Sequence, residues 1–209
     1  DIDSIEDINA RNFVLSEIKH CNKNKIQVKL LNGQVNHNNV ECSGLFEDEP
    51  DPCLSVNCAK NLEDWLIIFV HESCHKDQFL EKTPEWTNKI GSLYDPLDIF
   101  DMWVDGHIEL KKKQLKPVLK YITEIELDCE KRSVEKIKMN NLPINLQDYI
   151  QKSNAYVWYY HAVSKYRSYT KKQSPYSNSN IWTKMPVDFN NDYSKINSKI
   201  LKLYRKHCY

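Results

Sequence analysis

The chain has 209 residues, 41% apolar and 11% aromatic, enough to enclose one hydrophobic core and too few to promise two, so a single domain spanning 1–209 is expected. Only 4 Gly and 8 Pro interrupt it while 28% of its residues are charged, which excludes a chain disordered throughout. Net charge is zero, and the longest apolar run, Trp65 to Val70, falls far short of the roughly 18 residues of a bilayer span, so no membrane partner is expected.

The charge is unevenly spread. Residues 1–110 hold 9 Lys and Arg against 21 Asp and Glu, whereas 151–209 hold 11 against 2. Such asymmetry reads either as a basic surface for nucleic acid or an acidic partner, or as two parts of one protein that attract each other. The seven cysteines are odd in number and scattered, the pattern of free thiols in a reducing, intracellular compartment; Cys53 and Cys58 have no matching second pair for a zinc knuckle.

In chain order, Ile5, Ile8, Val14, Leu15 and Ile18 recur at helical spacing after a Ser4 cap and predict a helix over 4–20. Ile26-Gln-Val28-Lys-Leu30 alternates as a strand, and Asn32-Gly33 is a hairpin signal. Val35, Val40 to Phe46 and Leu54 to Cys58 are further strands, with an exposed acidic loop at Glu47 to Pro52. A helix over 61–80 follows, apolar enough to be buried nearly all round. Residues 84–106 read as a loop-rich insertion in which Trp86 and Trp103 anchor the chain or wall a cleft, and His107 has no assigned role. A long helix over 117–139 ends at Asn140-Asn141-Leu-Pro143; 146–169 is an aromatic helix, 174–180 a polar loop, and 193–204 a last helix within a basic C-terminal part, 146–209.

His71-Glu72-Ser73-Cys74-His75 carries the chemistry. Two His four apart on a helix project from one face and can share a Zn²⁺, while Glu72 can take a proton from water that zinc acidifies. With 7 His and 14 Glu in the chain, chance supplies only about 0.016 such matches. Catalytic zinc needs a third protein ligand, and Lys76-Asp77-Gln78-Phe79-Leu80 offers no third His, so a later Glu is expected. In the 117–139 helix, Ile122, Ile125, Cys129, Ser133 and Ile137 form one stripe, with Glu126 on its edge and Glu130 a turn later; Glu124 and Asp128 point away.

The motif and the stretch Glu126-Leu-Asp-Cys129-Glu130-Lys-Arg132 resemble the zincin metallopeptidases of the gluzincin group, and similar proteins encoded by tailed phages and large viruses. The resemblance implies an α+β fold in which a small, mostly antiparallel sheet within 1–60 packs on the catalytic helix, followed by a helical C-terminal part. It implies His71 and His75 as zinc ligands, Glu72 as base, Glu126 as third ligand and a peptide or protein substrate. In the family an Asp or Asn supports the first His; here Glu130 stands in that place, and Glu124 with Asp128 fits the same spacing. Among Tyr156, Tyr160 and His161, residues of a helix whose aromatics also suit a core, His161 is the candidate donor to an oxyanion. The other class of function is a zincin scaffold kept for binding, with Lys171, Lys172, Lys199, Lys202, Arg205 and Lys206 holding nucleic acid or an acidic protein.

Overall fold

The structure, a computed structural model, describes residues 2–37, 40–87, 95–170 and 173–209. The fold is α+β, and its residues gather into two compact units: 1–83 with 129–145, and 84–128 with 146–209.

In the first unit, a 3₁₀ turn at Ile2–Ser4 precedes helix α1, Ile8–Lys23. The helix starts later than the spacing predicts because Asp7, not Ser4, caps it, accepting from the Ala10 N–H at 2.8 Å. Strands β1 (Gln27–Leu31), β4 (Gly44–Glu47) and β5 (Cys53–Asn57) form a sheet in the order β1-β5-β4, and β2 (Val35–His37) pairs with β3 (Val40–Cys42) in a separate two-stranded sheet. The sheet is mixed. β4 runs antiparallel to β5, as does β2 to β3, but β1 runs parallel to β5, with Val28 opposite Leu54. Asn32-Gly33 therefore does not close a hairpin: the chain leaves β1, makes the β2–β3 excursion, and returns as β5 beside β1. β5 is buried along its whole length, as the central strand must be.

Helix α2, Leu62–Glu81, packs against β4 and β5. Asn61 caps it by accepting from the Asp64 N–H at 3.0 Å, and Lys82 ends it in the left-handed conformation. Its apolar residues meet the core through ring pairs: Phe69 lies edge to face 6.0 Å from Phe13 of α1, and Phe79 lies tilted 5.6 Å from Phe46 of β4.

Residues 84–106 are more helical than predicted, with α3 at Pro84–Thr87 and α4 at Pro96–Val104, the latter capped by Asp95 with proline in its first turn; 88–94 lie outside the described residues. Helix α5, Lys112–Met139, begins a turn before Pro117 because Gln114 reaches back to accept from the Lys111 N–H at 3.0 Å. Its residues up to Asp128 belong to the second unit and those from Cys129 to the first.

The second unit's core joins α4 and the first half of α5 to α6, Leu146–Tyr166, through Phe100, Ile122, Ala155, Val163 and Tyr204. α6 stops three residues short of Tyr169. Arg167 turns left-handed there, and its guanidinium donates to the carbonyls of Trp103 (2.8 Å) and Ile108 (3.2 Å). The polar stretch 174–180 leads into a short helix α7, Ser179–Trp182, capped by Asn178, and α8 spans Ser198–His207 after an Asn197 cap. Tyr193, expected within the last helix, instead lies buried before it, on Trp158. No described helix is long and apolar enough to cross a membrane, and all seven cysteines are free thiols.

Candidate metal centre

α2 brings His71 and His75 onto one face, and their rings meet edge to face with centroids 4.7 Å apart and Nε2 atoms at 3.1 Å. Nδ1 of His75 lies 2.8 Å from Oε1 of Gln78, and Nδ1 of His71 lies 3.3 Å from Oε1 of Glu130. Both oxygens can accept from a proton on Nδ1, the tautomer that leaves Nε2 with a lone pair for a metal. Without a metal, a proton on one Nε2 makes the 3.1 Å approach a hydrogen bond between the rings. Ligands at about 2.05 Å in tetrahedral geometry stand about 3.3 Å apart, so the pair matches a shared Zn²⁺ closely.

The second half of α5 backs this pair. The Cys129 thiol donates to the His71 carbonyl at 3.3 Å and lies 3.5 Å from its Nδ1; Ser133 donates to Cys74 Sγ at 3.4 Å. Cys129 and Ser133 are fully buried, and these small side chains let α5 approach α2 closely. His71, His75 and Cys129 form a group whose donor atoms lie within 4.8 Å of one another, able to hold a metal ion. Within it, the sulfur stands on the Nδ1 side of His71, away from the nitrogen that faces His75, which suits a supporting contact better than a bond to an ion between the two rings.

Glu72 points into the unit and is 7% exposed, with its Cγ and Oε1 against Gly44 at the start of β4. Behind α2, the fully buried Lys76 pairs with Glu17 (2.6 Å) and Asp77 (2.7 Å), and Lys136 pairs with the same two carboxylates at 3.0 and 2.7 Å. Burial alone would raise the Asp77 carboxyl, but the Lys136 and Lys76 ammonium groups outweigh it and hold the group below its ordinary range. Lys136 also donates to Ser73 Oγ at 2.9 Å, which ties this ring of charges to the motif. Glu17, His20 and Asp77 have donor atoms near enough for an ion, but the two ammonium groups already occupy the space among them.

The remaining candidates lie in the second unit. Glu126 is 5% exposed, and its Oε1 accepts from the hydroxyls of Tyr156 (3.2 Å) and Tyr160 (3.4 Å), themselves 2.9 Å apart. Glu124 is exposed and pairs with Lys120 at 3.1 Å. His161 stands beside Asp192 and Tyr193; burial lowers its pKa, against a smaller upward pull from the Tyr193 backbone and Asp192, so the ring is neutral at pH 7. Gln78, Gly44 and the contact of Cys129 with His71 escaped the reading of the sequence. Gln78 was visible as a polar residue three positions after His75, and Gly44 as a glycine inside a strand, a mark of close approach.

Comparison of the chain with protein-family models, with curated proteins and with solved structures gives no match.

Proposed function

We propose that this protein is a zinc-dependent metallopeptidase of zincin type. The observation that carries the proposal is the approach of the His71 and His75 Nε2 atoms to 3.1 Å, with an oxygen beside each outer nitrogen and Glu72 on the same helix. His71 and His75 would hold the ion from α2, with Glu126, one helical turn before Glu130 on α5, as third ligand. Zinc, when bound, polarises a substrate carbonyl and brings the pKa of water toward neutrality.

The chain's own residues supply the rest. Glu72 takes the proton of the attacking water and passes it to the departing amine; its position under β4 keeps the carboxylate out of bulk solvent and in one orientation. Glu130 and Gln78 fix the ring orientation and tautomer of the two His, so that neither has to lose a proton from Nε2 to bind. His161, neutral at pH 7, is retained as the candidate donor to the oxyanion.

The deciding experiment is elemental analysis and zinc titration of the purified chain together with peptide hydrolysis. One zinc per chain, lost in His71→Ala and His75→Ala, and kept in an inactive Glu72→Gln, is the expected result. A reconstituted protein that holds no metal defeats the reading. A second reading, a scaffold that binds nucleic acid or an acidic protein without hydrolysis, draws on the exposed Lys199, Lys202, Arg205 and Lys206 of α8; Lys171 and Lys172 lie outside the described residues. It requires salt-dependent binding by a metal-free chain.

A further inference from the structure

Gly44 stands where β4 crosses α2. Of the described glycines, it is the one with neighbours inside contact range: a Cβ there would clash with Ile68 Cγ2 and lie 3.0 Å from Glu72 Cγ and 3.2 Å from Glu72 Oε1. Its backbone is outside the left-handed region that Gly106 occupies, so what the position demands is space and not conformational freedom. The strand alternation explains the direction. Phe46, two residues on, faces α2 and meets Phe79, so the side chain that Gly44 lacks would project toward the same helix two turns earlier, where Ile68 and Glu72 lie. The adjoining Cys42 faces the same carboxylate: burial, then the charge of Glu72, pushes its thiol up to about 11. The Gly44 N–H is hydrogen-bonded to that thiol.

We propose that Gly44 is a positioning residue for Glu72, its missing side chain leaving the space in which the Glu72 carboxylate is held, so that any larger residue turns the carboxylate away. Ile68 takes the closest approach and can be moved by trimming, whereas Glu72 would have to give by a few tenths of an ångström at Cγ and Oε1. The consequence for hydrolysis rests on the zinc-peptidase reading; the consequence for where Glu72 lies does not.

The test uses the full chain and four proteins: the parent, Gly44→Ala, Ile68→Ala and Gly44→Ala/Ile68→Ala. Removing Cγ2 of Ile68 relieves the tightest contact, so the double variant folds with a Cβ that still presses on Glu72. Carboxyl-carbon NMR, with the Glu72 signal assigned by its loss in Glu72→Gln, follows the Glu72 titration; zinc affinity, kcat and KM are measured alongside. Relative to Ile68→Ala, the double variant should bind zinc within about threefold, shift the Glu72 midpoint by about half a pH unit or more, and lose about tenfold or more in kcat with KM little changed. A double variant whose Glu72 titration matches that of Ile68→Ala overturns the proposal, because Gly44 then spares Ile68 alone. If the parent hydrolyses no peptide, the peptidase reading falls and the Glu72 titration still decides the role of Gly44.

Discussion

Glu130 Oε1 lies 3.3 Å from Nδ1 of His71, and both side chains are nearly closed to solvent, at 6% and 13% exposed. A buried carboxylate there does two things: it keeps the proton on Nδ1, and it raises the basicity of Nε2. Glu130→Gln should weaken zinc binding about tenfold and Glu130→Ala by up to about a hundredfold, read by competition with a chromophoric chelator. Zinc affinity within about twofold of the parent in both variants would show that Glu130 does not support His71.

Gln78 acts on His75 from the other side. It is fully buried, and its carbonyl oxygen accepts from Nδ1–H at 2.8 Å. Gln78→Leu keeps the volume and leaves that N–H without its acceptor, so the ring is free to flip and the other tautomer to form. The expected loss is about tenfold in zinc affinity, with Gln78→Glu retaining most of it because a carboxylate also accepts. Equal affinities in Gln78→Leu and the parent would remove this role.

Much of this was legible in the sequence, and unevenly. Helix α2 and the facing of His71 and His75 follow from a spacing of four residues and from the Asn61 cap, both local. The stripe of α5 was legible for the same reason: Ile122, Cys129, Ser133 and Ile137 repeat at helical period and are buried, while Ile125 of the same stripe is half-buried. The parallel pairing of β1 with β5 was not, because it depends on where the chain returns after 21 intervening residues and no local pattern encodes that. The start of α5 was misread from Pro117, the stronger punctuator, when the weaker Gln114 decides it. The division of the contacts into two units left no mark on composition beyond the charge asymmetry.

The charge ring behind α2 gives the protein an acid sensitivity of stated sign. Asp77 has its pKa lowered on folding, below an ordinary 3.8, so it contributes stability that is complete above that value and lost as pH falls through the folded-state pKa. Asp77→Asn should therefore be less stable than the parent at pH 7 and lose less on going from pH 5 to about pH 2, measured by urea unfolding at each pH. Removing the fully buried cation costs more: Lys76→Met leaves Glu17 and Asp77 with Lys136 alone, and about 3 kcal/mol of destabilisation is expected. Parallel stability–pH curves for parent and Asp77→Asn would show that this pair does not set the acid limb.

The last prediction concerns the carboxylate proposed as the third zinc ligand, Glu126. Burial, and next the charge of Glu126, push the hydroxyls of Tyr156 and Tyr160 well above their ordinary pKa, so both are protonated at neutral pH. Both lie within hydrogen-bond reach of the same oxygen of Glu126, Oε1, and 2.9 Å from each other, so their two protons are shared among three contacts that hold this end of the carboxylate. Glu124 has none of this: it is exposed and, among the described residues, is held by Lys120 at the helix surface. Glu126→Ala should weaken zinc binding at least about tenfold, Tyr156→Phe about threefold to tenfold through the loss of orientation, and Glu124→Ala less than about twofold. The order of the three is the discriminating quantity, because general destabilisation would lower thermal midpoints without ranking zinc affinities this way. Should Glu126→Ala keep full zinc affinity while Cys129→Ser loses it, the thiolate beside His71 is the third ligand, and the site belongs to the His71, His75 and Cys129 group instead.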